Sequence, residues 1–293
     1  MRVVITGSNG FIGSFLVHKL KKVHEVIGVG RQKQNKSECQ KYINMDITQY
    51  DNVIEKMKDI GKIDVLIHVA AEMTGEIETL YQTNCLGTKN IIEAVCMNGV
   101  KKILYISSLP VIGEPKTYPI TELHSIEPKT AYHYTKLIGE HIVKNLSEKY
   151  KVKYAILRMA SPVGKNMNPN KIFSVFVNQC IHRKNIIIWG DGKRVQNYLD
   201  IRDLAYAINK VLFVDVNGIF NIVGNSISDY DLAMKCKSYF QTKNEIIVKR
   251  EEKLSSEKWI VSGEKAQRIL NYIPQRSIDE SIGFVAEGIY GTR

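Results

Sequence analysis

A chain of 293 residues with 44% hydrophobic residues can bury one large core or two modest ones, and no apolar run approaches the roughly 20 residues of a membrane span. The five cysteines, at 39, 85, 96, 180 and 236, include no C-x-x-C pair, and Met1-Arg2 runs straight into strand residues, so a reducing cytoplasm is expected rather than a disulfide-built secreted domain. A net charge of +11 asks for an anionic partner, but basic and acidic residues are interspersed without a nucleic-acid-binding pattern, which favours a phosphorylated small molecule over nucleic acid.

The first expected element is the strand Val3-Val4-Ile5-Thr6. It ends in Gly7-Ser8-Asn9-Gly10, and Phe11-Ile12-Gly13 then opens a helical pattern through Leu16, Val17 and Leu20. In such a unit Gly7 permits a sharp turn, Gly10 lets backbone approach a pyrophosphate, and Gly13 lets the helix pack closely on the strand. The free N–H groups at the helix start, around Phe11 and Ile12, are offered to the phosphates. The spacing is G-x-x-G-x-x-G rather than G-x-G-x-x-G. Glu25–Val29 reads as the second strand. NAD-binding units carry an acid at this strand end for the ribose 2′-hydroxyl, whereas NADP-binding ones often supply arginine. Here Gly30 stands in the acid's place and Arg31 follows, with Lys33 and Lys36 nearby. NADP(H) is therefore the preferred cofactor, with NAD(H) the alternative.

A short third strand, Tyr42–Met45, precedes Asp46-Ile47, and a helix follows through Val53, Ile54 and Met57. The nearly continuous apolar run Asp64–Ala71 reads as a parallel strand buried on both faces, with His68 a packed side chain. A long helical pattern then carries Asn84, Ile91, Ile92, Ala94 and Val95, and the strand Lys102–Ile106 stops at Ser107-Ser108. This β-α-β-α-β alternation predicts an open parallel sheet with helices on both faces. Gly7, Arg31, Asp46, Ala70 and Ser108 all fall at its carboxyl edge, where such sheets bind ligands.

Pro128 precedes Tyr132, and Lys136 follows one helical turn later, on the same face of the expected helix. A tyrosine with an ordinary pKa of about 10 is a poor base near neutrality. A neighbouring ammonium favours the phenolate, so Lys136 is expected to lower the pKa of Tyr132 into the range for proton transfer. Ser108 would hydrogen-bond the reacting oxygen.

Together these pieces resemble an extended short-chain dehydrogenase/reductase of the nucleotide-sugar epimerase/dehydratase/reductase branch. They are Thr6-Gly7-x-x-Gly10-x-x-Gly13, Asp46-Ile47, His68-Val69-Ala70-Ala71, Asn84-x-x-Gly87-Thr88, Ser107-Ser108 and Tyr132-x-x-x-Lys136. Later segments extend the likeness: Leu157–Gly164, Trp189–Gly192, Gln196–Ala205, Phe220–Gly224 and Ile227-Ser228. The resemblance implies a Rossmann doubly wound sheet over residues 1–164 and a smaller mixed α/β substrate domain over 165–293, with segments such as 196–222 free to return to the first sheet. It implies a catalytic set of Ser108, Tyr132 and Lys136. For the cofactor it implies Gly7 to Gly13 on the pyrophosphate, Asp46 and Ile47 at the adenine, and Val69, Ala70, Ala71, Asn84 and Ser161 along the rest. Lys136 would also hold the nicotinamide ribose. The substrate would be a nucleotide-diphosphate sugar touched by Ser108, Tyr132, Ser161, Arg194 and Gln196; no metal is implied, and the protein would be a homodimer.

Departures from the family narrow the reaction. Leu109-Pro110 follows the serine where dehydratases carry Asp-Glu, and Pro110 stands where a 3,5-epimerising reductase carries cysteine. An NADPH-dependent 4-keto-sugar reductase is placed first. A 4-epimerase with retained NAD, a reductase of a non-nucleotide carbonyl and a non-catalytic NADP sensor are the alternatives. Gln196-Asn197 replaces the Arg-Asp that relatives direct at the diphosphate, and Arg194 or Lys193 would take over.

Overall fold

The hydrophobic pattern of the first half produces the alternation it calls for. In the computed structural model, which describes residues 1–249 and 257–291, β1 (Arg2–Thr6) leads into α1 (Phe11–Leu20), β2 (Glu25–Gly30), β3 (Lys41–Asn44), α2 (Tyr50–Ile60) and β4 (Val65–His68). Then come α3 (Ile77–Tyr81), a π-helical turn (Gln82–Gly87), α4 (Thr88–Met97), β5 (Lys102–Ser108), a 3-10 turn (Leu109–Ile112), α5 (Ala131–Tyr150) and β6 (Lys153–Met159). The remaining elements are β7 (Ser161–Val163), α6 (Ile172–Ile181), β8 (Ile186–Trp189), β9 (Val195–Asp200), α7 (Ile201–Phe213), β10 (Gly218–Ile222) and β11 (Asn225–Ser228). After them come α8 (Asp229–Tyr239), β12 (Ile246–Lys249), α9 (Glu264–Leu270) and α10 (Ile278–Tyr290).

Seven strands form one sheet in the order β10-β6-β5-β4-β1-β2-β3. β1 runs parallel to β2 and β4, with Val4 opposite Ile27 and Leu66, and the β2–β3 and β4–β5 pairs are parallel too. Their carboxyl ends therefore share one edge. Val4, Ile27, Leu66 and Ile103 are buried with Ile91, Ile92 and Val95 of α4, which explains why these strands read as unbroken apolar runs.

Two expectations shift. The run to Ala71 stops being a strand at His68, because the N–H groups of Val69 and Ala70 turn to the Thr6 hydroxyl, 3.2 Å away in each case. The third strand ends at Asn44, although the Met45 N–H still reaches the Gly30 carbonyl at 2.9 Å.

The chain packs as two compact units. The first comprises Met1–Glu114, Ser125–Arg158 and Ala207–Phe220; the second comprises Pro115–His124, Met159–Tyr206 and the described residues of Asn221–Arg293. In the first, buried Lys102 of β5 closes the end of α7, donating to the Val211, Leu212 and Val214 carbonyls at 2.8, 3.2 and 2.7 Å. In the second, β9 pairs antiparallel with β11 and parallel with β7, β8 pairs with β12, and α10 packs on α6 and α8. Among the described residues no helix is long and apolar enough to cross a membrane.

Candidate active site

The glycine-rich turn is shaped by close backbone approaches. Gly7 has φ +67°, and a Cβ there would lie 2.9 Å from the backbone of Ala70. A Cβ on Gly13 would lie 2.1 Å from the Gly7 carbonyl, so α1 can start there only with glycine. Gly10 is different: it is exposed, and a Cβ would meet nothing nearer than the Gly7 carbonyl at 3.3 Å. Helix α1 has no side-chain cap and no acid in its first turn, so the N–H groups beginning at Phe11 and Ile12 are open to an anion. This donor set and the open face of Gly10 fit a dinucleotide pyrophosphate.

Behind the turn lies a buried hydrogen-bonded chain that sequence reasoning missed. The Thr6 hydroxyl accepts from Val69 and Ala70, so its single hydrogen goes to His68 Nδ1 at 2.6 Å. His68 is neutral, its pKa lowered to about 3 by burial and by the charge of Lys136. The ring hydrogen is therefore on Nε2 and is donated to Thr88 Oγ1 at 3.0 Å. The threonine of the first motif and that of Asn84-x-x-Gly87-Thr88 are thus joined through the histidine.

Ser108 ends β5 at the shared edge, half-buried. Tyr132 and Lys136 stand one turn apart on α5, whose N-terminus is capped by the Thr130 hydroxyl accepting from the His133 N–H at 3.3 Å. Lys136 is buried, with Nζ 4.1 Å from the centre of the Tyr105 ring. Burial pushes the Lys136 ammonium down to about 7 and the Tyr132 phenol up to about 12. The expected lowering of Tyr132 by the lysine charge is not seen: burial of the phenol is what moves it, and the Lys136 ammonium lies over the Tyr105 ring.

Asn84 lies in the π-helical turn and is 1% exposed. Its Oδ1 accepts the Glu72 N–H at 2.7 Å, while Nδ2 donates to the Glu72 carbonyl at 2.8 Å and to Thr135 Oγ1 at 2.9 Å. The Thr135 hydroxyl donates to the Tyr132 carbonyl at 2.8 Å, so Asn84 ties the segment after β4 to the first turn of α5. One turn beyond Lys136, buried Glu140 accepts from Ser107 Oγ at 2.6 Å and from Arg158 Nε and Nη2 at 3.0 and 2.7 Å. Ser107 adjoins Ser108, so this ion pair fixes both the strand end and the helix.

Other expected residues fall as follows. Arg31 Nη2 contacts Glu72 Oε2 at 3.1 Å. Asp46 Oδ1 accepts from the Thr48 N–H and hydroxyl, both at 2.9 Å, and buried Ile47 packs where Gly87 leaves room. Val69, Ala70 and Ala71 are half-buried after β4. In the second unit, Arg194 directs Nε and Nη2 at buried Asp229, at 3.0 and 3.3 Å. Gln196 lies opposite Ile227, and Ser161 opposite Tyr198. Arg202 pairs with Asp200 at 2.8 Å, and Asp203 accepts the Gln275 and Arg276 N–H groups. Among the described residues no group of three or more His, Cys, Asp or Glu side chains is placed to hold a metal ion.

Residues 3–222 match the NAD dependent epimerase/dehydratase family. A putative UDP-glucose 4-epimerase of Methanocaldococcus jannaschii is 31% identical over 219 residues, covering 70% of this chain and 71% of the relative. The UDP-glucose 4-epimerase of Thermotoga maritima, solved with UDP-glucose, superposes with TM-score 0.91 at 24% identity, covering 100% of this chain and 99% of that one. The UDP-glucuronic acid 4-epimerase of Bacillus cereus, solved with NAD, gives TM-score 0.87 at 23% identity, with 100% and 99% coverage. The chain belongs to the NAD-dependent epimerase/dehydratase family, in the nucleotide-sugar branch of the extended short-chain dehydrogenases/reductases, and is an NAD(P)-dependent oxidoreductase or epimerase.

Proposed function

We propose that the protein is a 4-epimerase of a UDP-sugar that keeps its NAD in place. The observation that carries this reading is the Arg31–Glu72 ion pair. It sets a carboxylate on Nη2 of Arg31, the cation at the end of β2 whose position argued for NADPH, and so weakens the main reason to place a keto-sugar reductase first. The kinship with proteins named UDP-sugar 4-epimerases supports the same choice.

When bound, the dinucleotide would supply the hydride acceptor and donor. Its pyrophosphate would lie on Gly7 to Gly13, its adenosine end by Arg31, Asp46 and Ile47, and the rest along Val69, Ala70, Ala71, Asn84 and Ser161. Tyr132 would exchange the proton of the sugar's 4-oxygen, Ser108 would hold that oxygen, and Lys136 would hold the nicotinamide ribose. Elimination has no acid–base pair to use, since Leu109-Pro110, in the 3-10 turn that follows Ser108, stand where the pair would be. Gln196 and Arg194 are the proposed diphosphate contacts; with Nε and Nη2 on Asp229, Arg194 has Nη1 left for a phosphate. The proposal includes a reducing cytoplasmic setting, consistent with five buried free thiols, and a homodimer built on exposed Ile77 and Tyr81 of α3 and Tyr134 and Ile138 of α5.

The test is mass analysis of the nucleotide released on denaturing the purified protein, followed by incubation with UDP-glucose and proton NMR of the sugar. Retained NAD and appearance of the C4 epimer are expected. An empty protein that oxidises NADPH with a 4-keto sugar would establish the reductase instead, the reading that Gly30-Arg31 favours.

A further inference from the structure

Building on that NAD reading, we propose that Glu72 is a cofactor-specificity residue: its carboxylate, seated on the Arg31 guanidinium, excludes a dinucleotide bearing a ribose 2′-phosphate. The end of β2 is where this fold reads the ribose, and here it offers no acid. A Cβ on Gly30 would lie 2.8 Å from the Tyr42 hydroxyl, so the phenol fills the place where an acid would start. That hydroxyl donates to the Gln32 carbonyl at 2.6 Å and accepts from Asn9 Nδ2 at 3.2 Å. Asn9 also accepts the Lys36 and Ser37 N–H groups at 3.0 and 3.1 Å, which fastens the segment after Arg31 onto the glycine-rich turn. Arg31 is left as the cation reaching toward β4, and Glu72 meets it there.

Glu72 is not a swinging surface acid. Its backbone N–H and carbonyl are both held by the side chain of buried Asn84, and its own side chain is 25% exposed against 57% for Arg31. Arginine binds phosphate through paired N–H donors, and Glu72 already occupies Nη2. A 2′-phosphate would have to expel this carboxylate or lie beside it as a like charge. A 2′-hydroxyl carries no charge and can donate to a carboxylate.

Dissociation constants for NADH and NADPH, read from nicotinamide fluorescence, test this on the wild-type protein, Glu72→Gln, Arg31→Ala and the double variant. The dinucleotide carried through purification of each is identified by mass spectrometry. Glu72→Gln is expected to tighten NADPH about tenfold and to leave NADH within about twofold, and adding Arg31→Ala is expected to abolish that gain. An unchanged NADH-to-NADPH ratio in Glu72→Gln overturns the role of Glu72, as does a gain that survives in the double variant. A wild-type protein that prefers NADPH overturns the NAD reading, and the ratio in Glu72→Gln judges Glu72 whichever cofactor the wild type prefers.

Discussion

Tyr132 and Lys136 are displaced from their ordinary acidities by the same cause, loss of water around the charged form. The phenol rises to about 12 and the ammonium falls to about 7. Tyr132→Phe keeps the ring and removes the proton, so turnover should fall about 10²- to 10⁴-fold while dinucleotide affinity stays within about twofold. Retention of most activity would sink the assignment. Lys136 also makes a stability prediction. Unfolded, it holds its proton up to its ordinary 10.5; folded, only up to about 7. Between these values the unfolded chain binds more protons, so this site makes stability rise with pH across that window, its full cost being felt below pH 7. Urea denaturation at pH 7 and pH 9.5 should show a smaller gain in Lys136→Met than in wild type. Lys102, lowered by burial, adds to the rise, and the buried thiols of Cys85, Cys96, Cys180 and Cys236, raised by burial, oppose it, so the difference between the two proteins is the quantity that reports on Lys136. An identical gain in both proteins would mean that Lys136 does not titrate as the geometry requires.

At the scale of an element, the strand–turn–helix unit divides its glycines between packing and ligand approach. A Cβ on Gly13 would drive 2.1 Å from a carbonyl oxygen that is itself fixed in the turn. Gly13→Ala should therefore cost about 1–3 kcal/mol of unfolding free energy. Gly10→Ala meets that carbonyl only at 3.3 Å and should cost distinctly less, yet weaken dinucleotide binding because the methyl group occupies the approach side. Comparing urea midpoints with NADH affinity separates the two; equal stability losses would show that the turn relaxes around either methyl group. The π-helical turn belongs to this scale too. The pattern around Asn84 announces a helix, but not the locally widened turn in which Asn84 holds both Glu72 and Thr135.

At the scale of the whole molecule, the largest fully buried side chain among the described residues is charged. Arg158 on β6 and Glu140 on α5 are 1% and 4% exposed and bond in two places. Breaking such a pair leaves one charge without a partner, so Glu140→Gln should destabilise by about 3–5 kcal/mol. Replacing both partners, as Glu140→Leu with Arg158→Met, should restore most of that loss in thermal or urea denaturation. A double variant as unstable as the single one would show that Glu140 matters through Ser107 rather than through the arginine.

Periodicity and turn chemistry act over a few residues, and what depends on them was legible in the sequence by itself. That includes the open parallel sheet with its alternating strands and helices, the glycine turn, the placing of Tyr132 and Lys136 on one helix face, the family, and the lack of an elimination pair at Leu109-Pro110. What required the tertiary structure depends on residues far apart in the chain. Arg31 reads as an open cation until Glu72 is seen on it, and Arg194 until Asp229 is. His68 reads simply as packed until Thr6 and Thr88 assign its ring hydrogen. The direction in which Tyr132 shifts was set by burial, and burial is a property of the assembled core that no spacing along the chain encodes.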